Sequence, residues 1–331
     1  MSETNLEGNR KMSIDKDYVF EHSGLKRTYK LYQPKNLTDN APMVFLLHGM
    51  TSSSNWTYIT GFNELAEKHG FLVVYPQSHH IRTIIEQDSY KKITDDKFIS
   101  MKEWFKSVSE KTATCKDGEK FSLMGTEFTR QNGAAITFTT KWNDTDEDSL
   151  FDGQNDVVFL TSLAKHLQKE FHTDAEKTFV AGFSNGGYMS YSLIAQARDI
   201  FKAAAIVSGL LHKRVFRKGT PKPTPIIHLH GTDDFMVPIE GQSKSDIPSA
   251  QSIVEYFANL NKSVIPETIQ VTENARRTIY TPEDGGAAVH YYRIENHDHV
   301  WPGRPNEAKK NMIDNSGINA TELIWEFFAK L

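Results

Sequence analysis

A serine with a glycine two positions away on each side is the feature that most constrains how this chain can fold. The stretch Ala181–Gly187 follows a short apolar run, Thr178–Ala181, and precedes a pattern compatible with a helix. At a sharp turn from strand to helix, Gly182 and Gly186 allow backbone to approach where a Cβ would clash. The stretch predicts a strand–turn–helix unit that presents Ser184 as a nucleophile, although by itself it also fits an ordinary glycine-rich turn.

Unbroken apolar runs on the N-terminal side of this unit predict strands that are buried on both faces. Met43–Leu47 and Phe71–Pro76 are such runs, and the apolar positions between them, which end before Gly70, predict a helix. A strand, a helix and a strand in this order predict a parallel sheet with right-handed crossovers. Similar patterns predict an antiparallel pair of strands, Tyr18–Phe20 with Lys26–Tyr32. Further strands are predicted at Ala203–Val207, Ile226–His230 and Val289–Ile294. Further helices are predicted at Asn155–Phe171, Ser184 to about Ala197, Ala250–Leu260 and a last segment that ends near Leu331.

Regular patterning is interrupted between about residues 77 and 152. This segment has an irregular polar pattern with one amphipathic stretch, Met101–Val108, and we expect an insertion close to the site, either a lid or a mobile decoration. The remaining boundaries are a mobile N-terminus over residues 1–16 and a single domain over residues 17–331 that contains the insertion. A basic, proline-bounded segment, His212–Lys222, is expected to be a solvated loop.

Composition argues against several classes of partner. A formal net charge of −4, with 24% charged residues, gives no electrostatic reason to expect nucleic acid or an anionic membrane as partner. The single cysteine, Cys115, cannot form an intrachain disulfide. The polar N-terminal stretch lacks the apolar centre of a secretory signal, and no later run is long and apolar enough to cross a bilayer. We therefore expect a soluble cytoplasmic protein, or a secreted one whose signal peptide has been removed.

Acidic and histidine residues follow two later strands of the chain. The stretch His230–Pro238 places two aspartates just after a strand, and Asn296–Gly303 places two histidines just after the last strand. With Ser184, they stand in the order nucleophile, acid and histidine that the α/β-hydrolase fold uses. The carboxyl ends of parallel strands gather at one edge of an open sheet, where ligands bind. We therefore expect Ser184, an aspartate and a histidine to meet at that edge.

Four stretches together resemble the polyhydroxybutyrate depolymerase and feruloyl esterase group of α/β-hydrolases: Leu47–Gly49, Gly182–Gly187, His230–Asp234 with Val237-Pro238, and His299–Gly303. The run Leu65–Pro76 is also similar to this group, and the resemblance covers roughly residues 25–80 and 140–305. It implies an α/β-hydrolase fold with a mostly parallel central sheet, helices on both faces and an inserted lid-like segment.

The resemblance implies Ser184 as the nucleophile, Asp234 as the acid and His299 as the general base. Asp233 is the alternative to Asp234 as the acid, and His297 is the alternative to His299 as the base. The family's spacing to the next proline favours Asp234, and its spacing to the Trp-Pro-Gly segment favours His299. A serine hydroxyl is a weak nucleophile until an imidazole accepts its proton, and a carboxylate holds that imidazole in one tautomer.

Analogy with this fold also assigns an oxyanion hole, formed by the backbone N–H groups of Met50 and Asn185. The candidates for contact with the substrate are Trp301, Trp142 and His48. Both tryptophans can instead be structural, Trp301 as a core residue and Trp142 as part of a Trp-Asn pair that also occurs in the family.

Histidine pairs in the chain raise the question of a metal site. Alternate residues of a strand share one face, so His228 with His230, or His297 with His299, would be spaced for ligation. The hydrolase pattern already explains His230 and His299, and the chain lacks a His-Glu-x-x-His helix, so no metal and no cofactor are expected. The adjacent pair His79-His80 is expected to lie in an ordinary polar loop.

The expected activity is that of a serine carboxylic ester hydrolase, with an acyl-enzyme on Ser184. Its expected partner is a small or oligomeric ester with a feruloyl, short-chain acyl or hydroxyalkanoate group. A peptidase, an acyltransferase and a binding protein without activity are the alternatives. Asn296, His297 and Asp298 stand where many relatives have glycines, and secreted relatives often have several cysteines; both departures argue against a polymer-degrading role. The bulky insertion and the missing signal favour a small or oligomeric soluble ester over an insoluble polyester.

Overall fold

A sheet of ten strands forms the centre of the structure. The computed structural model describes residues 16–22, 24–55, 60–92, 99–123, 126–144, 155–218, 222–242, 246–263, 265–282, 287–304 and 314–331. The expected mobile N-terminus therefore lies, apart from Lys16, outside the described residues. In chain order, the strands in these ranges are β1 (Tyr18–His22), β2 (Leu25–Tyr32), β3 (Met43–Leu47), β4 (Leu72–Pro76), β5 (His79–Ile85), β6 (Lys120–Leu123), β7 (Thr126–Gln131), β8 (Ala134–Lys141), β9 (Thr178–Phe183), β10 (Ala203–Val207), β11 (Ile226–Gly231), β12 (Ile265–Gln270), β13 (Ala275–Thr281) and β14 (Val289–Ile294).

Parallel strands occupy the middle of this sheet, in the order β4-β3-β9-β10-β11-β14. Antiparallel pairs flank them, with β2 and β1 beyond β4 and with β13 and β12 beyond β14. Strands β3, β4 and β10 are buried along their whole length, which explains why their sequences are continuous apolar runs. The predicted strand, helix and strand order at the start of the sheet is confirmed.

Helices lie on both faces of the ten-stranded sheet. In chain order, the helices in the described ranges are α1 (Phe62–His69), α2 (Ile99–Thr114), α3 (Asp156–Phe171), α4 (Asn185–Gln196), α5 (Lys213–Lys218), α6 (Ala250–Leu260) and α7 (Ala320–Phe328). Helix α2 packs elsewhere, against β5 and β8. Phe45 of β3 belongs to a buried cluster with residues of α3, α4 and α6, whereas the next residue, Leu46, belongs to a second cluster with residues of α1 and α7. This arrangement is the α/β-hydrolase fold, as the resemblance implied. No helix in the described ranges has both the length and the apolar composition that a membrane crossing needs.

The segment that was expected to be irregular contains a second sheet. Strands β5, β8, β7 and β6 pair in that order and are antiparallel, and Ile85, Val108 of α2 and Phe128 share a small buried core beneath them. The prediction of irregular structure was wrong, because polar residues interrupt the apolar ones in these strands and β5 alternates between half-buried and exposed positions. His79 and His80 consequently lie in a strand and not in a polar loop.

Two further segments differ from the prediction. Helix α5 occupies Lys213–Lys218, within the stretch His212–Lys222 that was expected to be a loop. The hairpin of β12 and β13 was not predicted; β12 is the last strand of the sheet and is exposed along its whole length, so its sequence lacks the apolar pattern of a buried strand.

Candidate active site

The predicted turn between strand and helix occurs at Ser184, between β9 and α4. Ser184 has φ 55° and ψ −122°, and a positive φ is uncommon for a residue with a side chain. Its N–H group donates to the carbonyl of Val207 at 2.9 Å, and its carbonyl accepts from the N–H group of Tyr188 at 3.1 Å. Residues held in such sparsely populated conformations cluster at functional sites, where the surrounding structure keeps them in place.

The two glycines around Ser184 lie where the backbone of neighbouring elements leaves no room for a side chain. A Cβ on Gly182 would overlap the carbonyl group of Gly186, and a Cβ on Gly186 would overlap the carbonyl group of Leu47 at the end of β3. The glycines thus permit close packing of β3, β9 and the first turn of α4. This packing explains why glycine flanks the serine on both sides.

We expect Gly186→Ala to lower the free energy of unfolding by more than about 3 kcal/mol, because backbone must move to accept the methyl group. Gly133→Ala is the control for space: nothing lies within 4 Å of a Cβ added at Gly133, which has a positive φ of 79°, whereas Gly186 is a helix residue. The expected cost of Gly133→Ala is about 1 kcal/mol, from backbone conformation alone. Equal costs for the two variants in urea unfolding would contradict this explanation.

The structure brings one of the candidate aspartates and one of the candidate histidines into a buried hydrogen bond. His299 Nδ1 lies 2.7 Å from Asp234 Oδ2, and the side chains of both residues are almost entirely buried. Asp234 Oδ1 accepts from the N–H groups of Val237 at 2.7 Å and Met236 at 3.1 Å. The ring of His299 packs against Phe183, with 4.7 Å between ring centroids, so it lies beside the residue that precedes Ser184.

The surroundings of Asp234 favour its ionised form. Burial would raise the pKa of this carboxyl, but the charge and hydrogen bond of His299, with further help from His230 and the N–H group of Val237, hold the pKa below its ordinary value. Asp234 can therefore remain a carboxylate beside the imidazole of His299. A carboxylate that accepts from Nδ1–H leaves the other ring nitrogen, Nε2, free to accept a proton.

The rival residues occupy structural positions. Asp233 is exposed, and its carboxylate accepts from the hydroxyl of Thr232 at 3.1 Å. His297 is 1% exposed, and its Nε2 donates to the carbonyl of Val300 at 3.3 Å, while its Nδ1 lies 3.2 Å from Asn315 Oδ1. His297 thus braces the loop that carries His299. The geometry supports Asp234 and His299 over these rivals, and their catalytic roles remain predictions.

The loop after β3 lies directly against Ser184. A Cβ placed on Gly49 would be 3.3 Å from the Cβ of Ser184, so this loop and the serine turn are in close contact. In the part of the chain that the structure describes, neither the N–H group of Met50 nor that of Asn185 donates to another backbone group. Both amides thus remain candidates for the oxyanion hole, whose assignment stays a prediction.

The second sheet supports this loop from the opposite side. The N–H group of Thr51 donates to the carbonyl of Thr140 at 2.9 Å, and the hydroxyl of Thr140 donates to the carbonyl of Ser52 at 2.5 Å. The N–H group of Trp142 donates to the side-chain oxygen of Asn185 at 2.8 Å. The end of β8 therefore connects the loop after β3 to the first residue of α4.

The three residues expected to contact the substrate are buried. His48 and Trp142 have no exposed surface, and Trp301 is 3% exposed within the cluster on the α1 and α7 side. Trp142 Nε1 donates to the carbonyl of His48 at 2.9 Å, and Trp301 Nε1 donates to the hydroxyl of Thr321 at 3.0 Å. The structure therefore differs from the expectation: these side chains hold the site's backbone in place, and the structural alternative for both tryptophans is favoured.

His48 is held neutral by its surroundings. Burial lowers the pKa of His48 to about 4, against partial opposition from its hydrogen bond to the carbonyl of Gly49. His48 Nδ1 donates to that carbonyl at 2.8 Å, so Nε2 is the acceptor of the N–H group of Ser78 at 3.1 Å and of the side-chain amide of Gln77 at 3.2 Å. His48 thus joins the start of the insertion to the loop after β3.

We expect His48 to make the protein less stable in acid. The unfolded chain takes up a proton at His48 near the ordinary pKa of about 6.5, and the folded chain takes it up only near pH 4, so stability falls as pH drops through this window. The difference corresponds to about 3 kcal/mol. His48→Gln should give a shallower dependence of the unfolding free energy on pH between 6.5 and 4 in urea titrations. Identical slopes for the variant and the wild type would refute this assignment.

A buried ion pair that no sequence pattern indicated connects both ends of the insertion. Arg27 Nη2 lies 2.6 Å from Asp156 Oδ1 and donates to the carbonyl of Gln77 at 3.2 Å, where the insertion begins. Asp156 Oδ2 accepts from the N–H group of Asn143 at 2.7 Å, near the insertion's end. Arg27 and Asp156 are far apart in sequence and belong to no local motif, so no pattern could have paired them.

Comparisons with known proteins agree with this description. Residues 141–223 match the model of the prolyl oligopeptidase family. The chain is 23% identical over 295 residues to the bifunctional acetylxylan esterase/xylanase XynS20E of Neocallimastix patriciarum. The aligned region covers 86% of this chain and 32% of that protein. It is 30% identical over 86 residues to feruloyl esterase C of Emericella nidulans, and this aligned region covers 26% of this chain and 31% of that protein.

A solved structure with the same fold is the acetyl xylan esterase from Aspergillus awamori, with a TM-score of 0.55, 14% identity and coverage of 92% of this chain and 94% of that chain. The chain spans about a third of the length of the curated relatives named above. The resemblance to the esterase group is confirmed by these relatives, and the structural likeness confirms the fold.

Proposed function

We propose that the protein is a serine carboxylic ester hydrolase that acts through an acyl-enzyme on Ser184. The observation that carries this proposal is the buried hydrogen bond between His299 and Asp234, beside a serine held in a strained turn. A neutral imidazole oriented by a carboxylate is the group that can accept the serine's proton. The esterase names of the relatives support the same class of reaction.

In the proposed reaction, His299 Nε2 accepts the proton of the Ser184 hydroxyl while Ser184 Oγ attacks the ester carbonyl carbon. The N–H groups of Met50 and Asn185 stabilise the negative charge that develops on the carbonyl oxygen. The C–O bond to the alcohol then breaks, and His299 returns the proton to the departing alcohol. Water, deprotonated by His299, hydrolyses the acyl-enzyme and restores Ser184.

Hydrolysis of p-nitrophenyl acetate and labelling with a fluorophosphonate probe test this proposal together. A serine esterase releases p-nitrophenol and binds the probe at Ser184 in a one-to-one ratio, which peptide mass spectrometry locates. A binding protein that keeps the fold without activity would give neither signal, and that pair of results would overturn the proposal.

The substrates that we propose are acetyl, feruloyl or other short-chain acyl esters, because the relatives are named acetylxylan and feruloyl esterases. Hydroxyalkanoate oligomers belong to the same screen, since the motifs also resemble the polyhydroxybutyrate depolymerase group. Methyl ferulate, short p-nitrophenyl esters, acetylated xylan and hydroxybutyrate oligomers should be compared by kcat/KM. The substrate with the largest value identifies the acyl group.

A peptidase is the second candidate, because residues 141–223 match the prolyl oligopeptidase family. The same serine, histidine and aspartate can cleave amides on this fold. Paired substrates that differ only in an ester or an amide bond separate the two activities, and an added acceptor alcohol would reveal acyl transfer. Faster cleavage of the amide would replace the esterase proposal with the peptidase.

A further inference from the structure

A series of buried side chains leads from helix α4 toward Asp234. The hydroxyl of Tyr191 lies 2.7 Å from His228 Nδ1, and His228 Nε2 lies 3.1 Å from His230 Nδ1. His230 Nε2 lies 2.8 Å from the carbonyl oxygen of Val237. Tyr191 and His228 have no exposed surface and His230 is 1% exposed. The proposed reaction uses none of these three side chains, although they are buried polar groups close to its acid.

The last acceptor determines the direction of every hydrogen bond in this series. A carbonyl oxygen only accepts, so the proton lies on His230 Nε2, and in a neutral ring His230 Nδ1 is then an acceptor. His228 must therefore donate from Nε2, which leaves His228 Nδ1 to accept from the hydroxyl of Tyr191. All three donors point along the series toward Val237 and the turn that contains Asp234.

The environment keeps both imidazoles neutral. Burial lowers the pKa of His228 well below its ordinary value, and the neighbouring His230 lowers it further. Burial also lowers the pKa of His230, despite the opposing charge of Asp234. Among the described residues, other titratable groups around the pair include Tyr291, whose ring lies edge-on to His228, and the imidazoles of His299 and His297, which act on His230. Arg293 of β14 lies opposite His230 in the strand register.

His230 is connected to Asp234 both by direct proximity and through the backbone of Val237. Its Nε2 lies 3.6 Å from Asp234 Oδ2, the same oxygen that accepts from His299. It also donates to the carbonyl of Val237, whose N–H group donates to Asp234 Oδ1. The positive end of the Nε2–H dipole of His230 is therefore near the carboxylate of Asp234. The hydrogen bond from His230 to the carbonyl of Val237 fixes the turn that orients this carboxylate.

We propose that Tyr191, His228 and His230 form a one-directional hydrogen-bond chain that positions the carboxylate of Asp234 and stabilises its negative charge. The three residues act as positioning residues for hydrolysis, and their effect on catalysis rests on the proposed function. Removal of a donor from the chain makes the Asp234–His299 pair bind a proton more tightly. The acid limb of the pH–rate profile then moves to higher pH, because this limb reports the protonation of the pair.

Nuclear magnetic resonance of 15N-labelled histidines tests the arrangement without any assay of activity. We expect both His228 and His230 to carry their proton on Nε2, and the resonances of His230 to shift in Asp234→Asn but not in the neighbouring Asp233→Asn. Protonation of Nδ1 in either ring would overturn the chain. Unchanged His230 resonances in Asp234→Asn would overturn its connection to the acid.

Kinetic variants test the consequence for catalysis. Tyr191→Phe removes one hydroxyl, and we expect kcat to fall about three- to tenfold, with KM unchanged and the acid limb displaced upward. Tyr292→Phe is the matched control, because Tyr292 is also an almost fully buried tyrosine, in the cluster on the other side of the sheet. It should keep the wild-type kcat and pH profile, even if both variants lose thermal stability.

A second pair of variants addresses His230 directly. His230→Leu should lower kcat about ten- to a hundredfold, and His230→Gln should recover part of this loss, because its amide can donate to the carbonyl of Val237. Wild-type kcat and acid limb in both Tyr191→Phe and His230→Leu would overturn the positioning role. If the wild type shows neither ester hydrolysis nor fluorophosphonate labelling, the proposed function fails, and the resonance experiment alone decides whether the chain exists.

Discussion

Replacement of Ser184 by alanine is expected to lower kcat/KM for p-nitrophenyl acetate by a factor of about 10⁴ to 10⁶. Alanine keeps the backbone and the position of His299 but removes the atom that would form the acyl-enzyme. Hydrolysis by free water inside the site does not replace it, because the covalent step is lost. Fluorophosphonate labelling should disappear in the same variant.

Two controls separate this effect from misfolding. Ser190→Ala makes the same change six residues later, within α4, where the hydroxyl donates to the carbonyl of Gly186 at 2.8 Å, and it should retain labelling. Ser184→Gly should be as inactive as Ser184→Ala but more stable by about 1 kcal/mol, because glycine relieves the cost of φ 55°. Full activity in Ser184→Ala would rule out the proposed mechanism.

The second large effect is expected from Asp234→Asn, which should lower kcat by about three to four orders of magnitude. The carboxylate of Asp234 accepts three hydrogen bonds: one from His299 and two from backbone N–H groups. The side-chain amide of asparagine has only one oxygen to accept from those donors. Its NH₂ group, itself a donor, must then lie against either His299 Nδ1–H or the backbone N–H groups. The imidazole then loses its orientation or takes the wrong tautomer.

Asp233→Asn provides the matched control, because Asp233 is adjacent in sequence but exposed. It should keep at least half of the wild-type kcat in the same assay. Since the pKa of Asp234 is held below its ordinary value, its contribution to stability is fully present above the unfolded pKa and is lost as pH falls through the folded pKa. The lowered pKa also keeps Asp234 ionised across neutral pH, so the activity difference between the two variants should persist there. Equal activities would reverse the assignment of the acid.

Local sequence patterns were sufficient for the elements in the middle of the sheet. Strands such as β3 and β10 are buried on both faces, so nearly every position must be apolar and the pattern is unmistakable. Strand β5 of the second sheet and β12 at the edge of the main one have few fully buried positions. Neither strand forms a continuous apolar run, so the insertion was predicted to be irregular and β12 was not predicted.

The candidate catalytic residues could be chosen from sequence because each follows a strand within a recognisable motif. The choice between neighbours was harder, since Asp233 and Asp234 have the same chemistry and stand side by side. Burial separates them in the structure: Asp234 is 2% exposed and is hydrogen-bonded to His299, whereas Asp233 points to solvent. Burial of a single side chain depends on packing between distant elements, which no local pattern records.

The sequence by itself determined the α/β-hydrolase architecture, the turn that presents Ser184 and the set of residues from which a triad can be built. Glycine spacing and apolar runs indicate these features because each of them is marked by a short, continuous stretch of sequence. Only the tertiary structure decided that His48, Trp142 and Trp301 are internal supports, and that Tyr191, His228 and His230 lead to Asp234. Such roles depend on hydrogen bonds and burial between residues far apart in sequence, which exist only once the sheet has assembled.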